Sequence, residues 1–550
     1  MNGFSLSHLP IVGEYARRMG FVEAIDNSLK SGMHISPGTV ILGLVMDVLC
    51  GRSPLYRVEE FFRMRDVELL LGEGVRAKQL NDDALGRVLD LVYAYGTWKI
   101  FSEICVRAYK TFEVDSFIIH HDTTSVSVWG EYRPSSRDPL SINYGHSKDK
   151  RPDLKQFTYS LLCVERNLPI HASVLSGNAS DKKTNAKIIA ELPRIMAAYG
   201  RKDFIYVADS ALATRENLDL MKGMRFITRL PENFSACSEL IGRSGSWEDR
   251  GRLSHRIVNG KDIRAAYRIR EERVELYGEP YRCIVVHSDA HDRRRLRRIE
   301  KRVKEDRIFL LERIQEISRR EFYCMPDALK GVETFREGLY HHASLSIEER
   351  PVYGRGRPSR DGIRRVKEVR YRIRAQVSEN TDATLKLREE AGCFVLLTSI
   401  PENEMCGIDI LRTYKDQDGI EKNFSFLKDP LIVNDVFLKK PHRIEAMGLV
   451  LVLSLLLWRL LERTMRKRLR ENNSSLMGWN NSYTSRPTSF MMASKFSPVF
   501  VGVENGKRFL FTPFDNVQLD YLNALGVHPD VFKRVSPRQT DHLLSRVSSP

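Results

Sequence analysis

Hydrophobic and polar positions change texture several times along the 550 residues. Up to about Glu113 the apolar residues recur at helical spacing. Val40, Ile41, Leu44, Val45 and Val48 follow Ser36-Pro37, an N-cap and a residue suited to the first helical position. Asn81-Asp82-Asp83 opens another such run, with Leu85, Val88, Leu89 and Val92 on one face. Region 1–113 is therefore expected to be helical. It either carries a DNA-reading helix-turn-helix or simply packs, and packing is the commoner role of such a bundle.

From Val114 the pattern changes to short apolar runs. Segments 117–122, 156–164, 169–175 and 204–209 read as strands, the middle two joined by Glu165-Arg166-Asn167. Asn178-Ala179-Ser180-Asp181 is placed to cap a helix through Ala198, and Thr214 begins another. Strands followed by strand–helix alternation predict an α/β layer with a mixed sheet over 114–231. Region 232–391 interrupts it with alternating strand-like segments, an Arg-rich helical stretch from 293 to 320, and a basic stretch, Gly354-Arg355-Gly356-Arg357-Pro358. That stretch resembles the core of an A·T-reading minor-groove arm, though a flexible connector is the commoner reading. The α/β pattern resumes over 392–470, with a strand at 393–398 and a helix at 414–427. The apolar run 447–458 falls short of the ~20 residues a membrane span needs, so it is expected to be a buried core helix. A C-terminal region, 471–550, closes the chain, and no repeat of fixed period is visible.

Composition narrows the class of partner. There are 87 basic and 71 acidic residues, a formal net charge of +16, which favours nucleic acid or an anionic surface. A hydrophobic fraction of 42% excludes a mostly disordered chain. The first 21 residues lack the basic-then-apolar order of a secretory leader. The cysteines are scattered without a Cys-x-x-Cys pair, so reduced thiols are expected rather than a zinc ribbon. These features predict a cytoplasmic protein with no membrane partner.

Two of the predicted strands end on an acid, Asp122 and Asp209. A lone strand-end Asp is usually a turn or cap residue. On neighbouring strands, however, the two carboxylates would share a crevice and repel unless protonated or bridged by a hard divalent cation. Glu421 is the candidate third acid. Tyr414, Gln417, Glu421 and Lys428 recur at helical offsets on one face, beside an apolar stripe of Ile420, Phe424 and Leu427. Alone, that helix reads as an ordinary amphipathic one. His120 and His121 are not expected to ligate metal; Asn178 and Asp181 are candidate supports of the loop at the site, and a helix cap is an equal reading of Asp181. In the Arg-rich stretch, Arg294 and Arg297 are candidate phosphate contacts, against a solvated helix with Glu300, Glu305 and Asp306 nearby.

Together these pieces resemble a known family. Ile119-His120-His121-Asp122-Thr123-Thr124, Val207-Ala208-Asp209-Ser210 and Tyr-x2-Gln-x3-Glu-x6-Lys look like DDE transposases of bacterial insertion sequences. The similar branch carries Tyr-x2-Arg-x3-Glu-x6-Lys. Gly145-His146-Ser147-Lys148-Asp149-Lys150-Arg151-Pro152-Asp153-Leu154-Lys155-Gln156, Gly177-Asn178-Ala179-Ser180-Asp181, Glu216-Asn217-Leu218 and Gly356-Arg357-Pro358 stand in matching order. So does the helical segment 443–461. The resemblance spans most of the chain, and its specificity lies in the ordered set. Gln417 occupies the family's Arg position, an amide that hydrogen-bonds but adds no charge.

The resemblance implies an RNase H-like mixed sheet with flanking helices, interrupted by the β-rich and helical insertion and preceded by the helical domain. It implies that Asp122, Asp209 and Glu421 are catalytic and hold two Mg²⁺ (or Mn²⁺) ions for phosphodiester cleavage and strand transfer. Tyr414, Gln417, Lys422 and Lys428 would contact DNA. The implied partners are double-stranded DNA, as terminal inverted repeats and target, and a second copy of the chain on that DNA; the implied location is nucleoid-associated. A nuclease on the same core without strand transfer, and a catalytically inactive DNA-binding descendant, are the alternatives.

Overall fold

A helix with no polar face must be enclosed on all sides. In the computed structural model residues 441–471 form one such helix of 31 residues, Pro441–Glu471. By length and composition it could cross a membrane, yet 94% of its most apolar 18-residue window is buried within the protein. The structure describes residues 2–129, 132, 140–148, 151–254, 257–258, 261–262, 264–290, 293–355, 362, 364–429 and 440–534. They fall into two units, Met1–Thr228 with Thr413–Pro550, and Arg229–Arg412.

In the first unit, helices Pro37–Val48, Asp82–Tyr95, Thr97–Phe112 and Asn516–Leu525 all pack on the apolar helix. The N-caps stand where the sequence places them. Ser36 Oγ accepts from the Thr39 amide at 3.2 Å and Asn81 Oδ1 from the Ala84 amide at 3.0 Å. The regions 1–113 and 471–550 fall in the same unit. Strand Asn2–Ser5 pairs antiparallel with Phe500–Glu504, and Tyr15 Oη donates to the Leu525 carbonyl at 2.9 Å. Neither region could cover the core helix alone.

The sheet of this unit contains β1 (Ile118–Val128), β2 (Lys155–Val164), β3 (Leu168–Ser176), β4 (Ile205–Val207) and β5 (Arg225–Arg229). Their order is β3-β2-β1-β4-β5, with β1, β2 and β3 antiparallel and β4 and β5 parallel to β1. This is the strand order and direction of an RNase H-like core. Gly448 lets the core helix lie directly on the sheet, since a Cβ there would stand 3.0 Å from both Tyr159 Oη and Val174 Cγ2. Helix Asp418–Leu427 packs on β1, and Ile420, Phe424 and Leu427 are its buried stripe, as expected.

Two predicted elements differ. β1 runs on past Asp122, because the β-branched Thr123, Thr124 and Val126 keep pairing with β2 as far as Val128↔Lys155. The helix expected over 414–427 is two helices, Gly407–Lys415 and Asp418–Leu427. Asp416 and Gln417 form a tight turn between them, with i→i−3 bonds such as Ile420 N–H to the Gln417 carbonyl at 3.0 Å. Asp-Gln-Asp-Gly is a poor helix interior. Gly419 also sits against the Arg166 carbonyl, 2.2 Å from where a Cβ would lie. Tyr414 and Glu421 therefore do not share one uninterrupted helical face.

In the second unit, Cys393–Thr398, Glu279–Ser288, Ala266–Leu276 and Glu248–Arg252 pair antiparallel in that order. The strand 393–398, expected on sequence, is present and falls within the unit Arg229–Arg412. The Arg-rich stretch is helix Arg293–Arg319. A separate ribbon, His341–Tyr353 with Val366–Glu379, extends from it. The expected basic linker begins just after strand His341–Tyr353, within the insertion; Gly356, Arg357 and Pro358 lie outside the described residues.

A buried charged residue ties the core helix to helix Asp418–Leu427. Arg459 is buried, and its guanidinium donates to Asn423 Oδ1 at 2.9 Å, Glu462 Oε2 at 3.0 Å and the Lys422 carbonyl at 3.0 Å. Arg459→Ala would leave Glu462 with only Arg466, 2.6 Å away, in a buried setting. A loss of roughly 3 kcal/mol is expected, read as a lowered denaturant midpoint with an unchanged slope.

Candidate active site

The geometry of the site starts from a register. β1 and β4 pair parallel as Ile118↔Ile205, Ile119↔Tyr206 and His120↔Val207. Asp122 and Asp209 each follow the last pair by two residues, so they stand level on adjacent strands. Period-2 alternation puts Asp122 on the face of His120, the face covered by helix Asp418–Leu427. β1 and β4 flank the point where strand order reverses, where ligands of open α/β sheets bind beyond the strands' carboxyl ends.

Both carboxylates are uncomfortable there. Burial pushes the Asp122 carboxyl up from 3.8 to about 6; Lys148 and the Thr123 amide oppose this, while Asp209 and Asp181 add to it. Asp209 is raised in the same direction, chiefly by burial, with the Ala211 amide and Lys148 opposing. Asp209 Oδ1 also accepts from the Ala211 amide at 3.1 Å, capping a short turn of helix.

The compensating charge is Lys148. Its Nζ lies 3.6 Å from Asp122 Oδ1 and donates to Thr123 Oγ1 at 3.1 Å and to the Thr123 carbonyl. Its backbone amide donates to Ser125 Oγ at 2.9 Å, which lays the loop along β1. Asp181 joins from the start of helix Asp181–Ala198, where its Oδ1 accepts from Thr123 Oγ1 at 2.8 Å. The sequence flagged Lys148 only as part of a motif and left Asp181 between a cap and a supporting role. The signal for both lies in the pairing of the loop with β1, which no local pattern carries.

The remaining expected residues are placed as follows. Glu421 and Lys422 are exposed on helix Asp418–Leu427, and Lys428 closes it. Glu421 is not among the charges that act on Asp122 or Asp209. Gln417 turns inward and donates from Nε2 to the His121 carbonyl at 3.3 Å, fastening the helix to β1 beside Asp122. Tyr414 lies on the preceding helix. His121 is buried between Tyr206 Oη at 2.6 Å and Ser160 Oγ at 2.9 Å, and burial lowers it to about 3. Burial likewise lowers His120 to about 4. In the second unit Arg297 is exposed, and the Arg294 side chain lies outside the described residues. Arg295 is committed to Glu232 and to the Ala391 carbonyl.

What the first-unit cluster fits is a cation. Two partly buried carboxylates with raised pKa values are under-neutralised, and hard oxygen donors suit Mg²⁺ better than a soft metal. Among the described residues no three His, Cys, Asp or Glu side chains already stand at metal-binding distance.

The raised Asp122 pKa has a stability consequence. A folded-state carboxyl with a raised pKa binds more protons than the unfolded chain does, so stability falls as pH rises through the shifted range. Asp122→Asn should therefore be indistinguishable from wild type near pH 4. It should become more stable between pH 4 and 6 and hold an advantage of about 1–3 kcal/mol at pH 7. Thermal melts across this range check it.

Among comparisons with known proteins, a family described as a domain of unknown function (DUF4277) matches residues 2–106. No curated protein matches the chain. A solved structure that it resembles is the piggyBac transposase synaptic complex with hairpin DNA. The identity is 9% and the TM-score 0.36, over 99% of this chain and 81% of that one.

Proposed function

We propose that the chain is a DNA transposase acting by metal-dependent phosphodiester chemistry. The observation that carries this reading is the parallel β1–β4 register, which brings Asp122 and Asp209 level at the switch point of an RNase H-ordered sheet. Lys148 sits beside them where a cation is needed. The motif resemblance supports the same reading.

In this reading Asp122 and Asp209 hold Mg²⁺ or Mn²⁺, two ions in the complete site, with Glu421 as the third ligand. A divalent ion bound there supplies Lewis acidity to the attacking oxygen and to the leaving oxygen of the phosphodiester. The chain's own residues do the positioning. Gln417 and Arg459 fix helix Asp418–Leu427 on the sheet, so that Lys422 and Lys428 face DNA phosphate with Tyr414 nearby. Asp181 and Thr123 hold Lys148, which offsets the carboxylates before any metal arrives. Terminal inverted repeats and target DNA are the proposed substrates. A homodimer follows from the need to pair two ends, and the nucleoid from the substrate.

One observation favours a second reading, a DNA-binding descendant without activity. Glu421 is exposed, and the family's Arg is replaced by an amide that is turned inward. A nuclease without strand transfer is the remaining alternative.

The deciding experiment uses the gene with its flanking DNA on a plasmid, the full-length protein and Mg²⁺. Cleavage at the element's ends followed by joined products is expected. Asp122→Ala, Asp209→Ala and Glu421→Ala should each reduce it at least ~1000-fold, about 4 kcal/mol of barrier, with DNA binding retained. Cleavage without joining under any condition would identify a nuclease. Binding without cleavage, unaffected by the three substitutions, would identify the inactive descendant. Titration calorimetry with Mg²⁺ or Mn²⁺ gives an independent check, since Asp122→Asn with Asp209→Asn should abolish the binding heat.

A further inference from the structure

The ribbon of the second unit divides into two halves by how its charges are satisfied. Strands His341–Tyr353 and Val366–Glu379 pair antiparallel from His341↔Glu379 to Tyr353↔Val366. At 13 and 14 residues they extend ~45 Å. At the base the ribbon is covered. His341, Ala343 and Ile373 are buried, helices Arg293–Arg319 and Met325–Glu333 pack on it, and Gly331 lies against Phe322 and Ile373.

From the middle of the ribbon out to Arg370 the cations are paired. Arg370 meets Glu321 at 2.7 Å and Glu368 at 2.8 Å, Arg372 meets Glu321 at 2.9 Å, and Arg374 meets Glu348 at 2.7 Å. Toward the far end this changes. Arg355, Arg364, Arg365 and Lys367 are exposed, and among the described residues none of the four forms an ion pair. In sequence, positions 350–367 hold seven basic residues and one acid, a net +6 out of the chain's +16.

Such an element has little reason to exist on its own. A two-stranded ribbon without a covered face is at best marginally stable, and concentrated like charge makes it worse. What it lacks is a polyanion. Two features choose among polyanions and other partners. The strands end in open ribbon edges, but Pro351 interrupts one of them, removing a donor that an added strand from a protein partner would use. The ribbon is also of the size that the ~12 Å major groove of B-form DNA admits.

We infer that the outer half of this ribbon is a sequence-independent arm for double-stranded DNA, gripping phosphates through Arg355, Arg364, Arg365 and Lys367. The inference rests on the reading that the chain handles DNA and is independent of the chemistry at Asp122 and Asp209. It places a DNA contact on an element that the acidic site does not include.

The test uses the full-length protein and a 30-base-pair duplex of arbitrary sequence, with affinity followed by fluorescence anisotropy across a salt series. The triple variant Arg364→Gln, Arg365→Gln, Lys367→Gln should bind about 10- to 100-fold more weakly near 0.1 M salt. Its log–log salt slope should be shallower by roughly 2 to 3, about 0.9 for each lost phosphate contact. The melting temperature should hold, since no ion pair among the described residues is removed. Arg364→Lys with Arg365→Lys should restore the slope, and Arg374→Gln, at a paired position, should leave it unchanged. Wild-type affinity and slope in the triple variant would overturn the inference. So would a loss confined to vesicles of anionic phospholipid with DNA binding intact. A protein that binds no duplex at all would overturn the DNA-handling reading as well, whereas a failed ribbon test beside intact DNA cleavage would leave that reading standing.

Discussion

The enclosure of helix Pro441–Glu471 is the constraint on which the first unit depends. A long helix that is apolar on every side cannot rest on one partner, so elements distant in sequence are recruited to cover it. Helices before residue 113, strands β2 and β3, helix Asp418–Leu427 and helix Asn516–Leu525 all contribute. This explains why the two ends of the chain fall in one unit and why strand Asn2–Ser5 pairs with Phe500–Glu504. The buried cation Arg459 is tolerated because its donors are answered by Asn423, Glu462 and the Lys422 carbonyl. Through these bonds the packing of the core helix positions the helix that carries Glu421.

The acidic cluster shows the opposite balance. Asp122 and Asp209 are held together at a cost, because the sheet brings them level in a partly buried place and only Lys148 and a few donors offset the repulsion. Lys148 and Asp181 show how such a cost is limited. The ammonium is shared between carboxylates, and Thr123 links it to the start of helix Asp181–Ala198.

Charge in the second unit follows the same logic on a larger scale. From the middle of the ribbon out to Arg370, cations and carboxylates are matched pair by pair, so that stretch adds little net field. Toward the tip the cations outnumber the acids, and the field is left for a partner. The net basic charge of the chain is therefore not spread evenly, and its location says more than its size.

The sequence by itself determined the local chemistry. The caps at Ser36 and Asn81, the buried character of the 447–458 run, the strand texture of 117–122 and 204–209, and the two acids within it were legible because each depends on neighbours in sequence. The α/β class followed from the order of those elements. Tertiary structure decided what local patterns cannot encode. Parallel pairing of strands some eighty residues apart set Asp122 level with Asp209, and the 145–148 loop folding onto β1 delivered Lys148. Antiparallel pairing with Glu279–Ser288 set the neighbour of strand 393–398. The tight turn at Gln417, forced by close approach of Gly419 to Arg166, broke the helical face on which Tyr414 and Glu421 were expected to align. In each case the deciding energy is a contact between residues far apart in the chain, which periodicity and composition do not see.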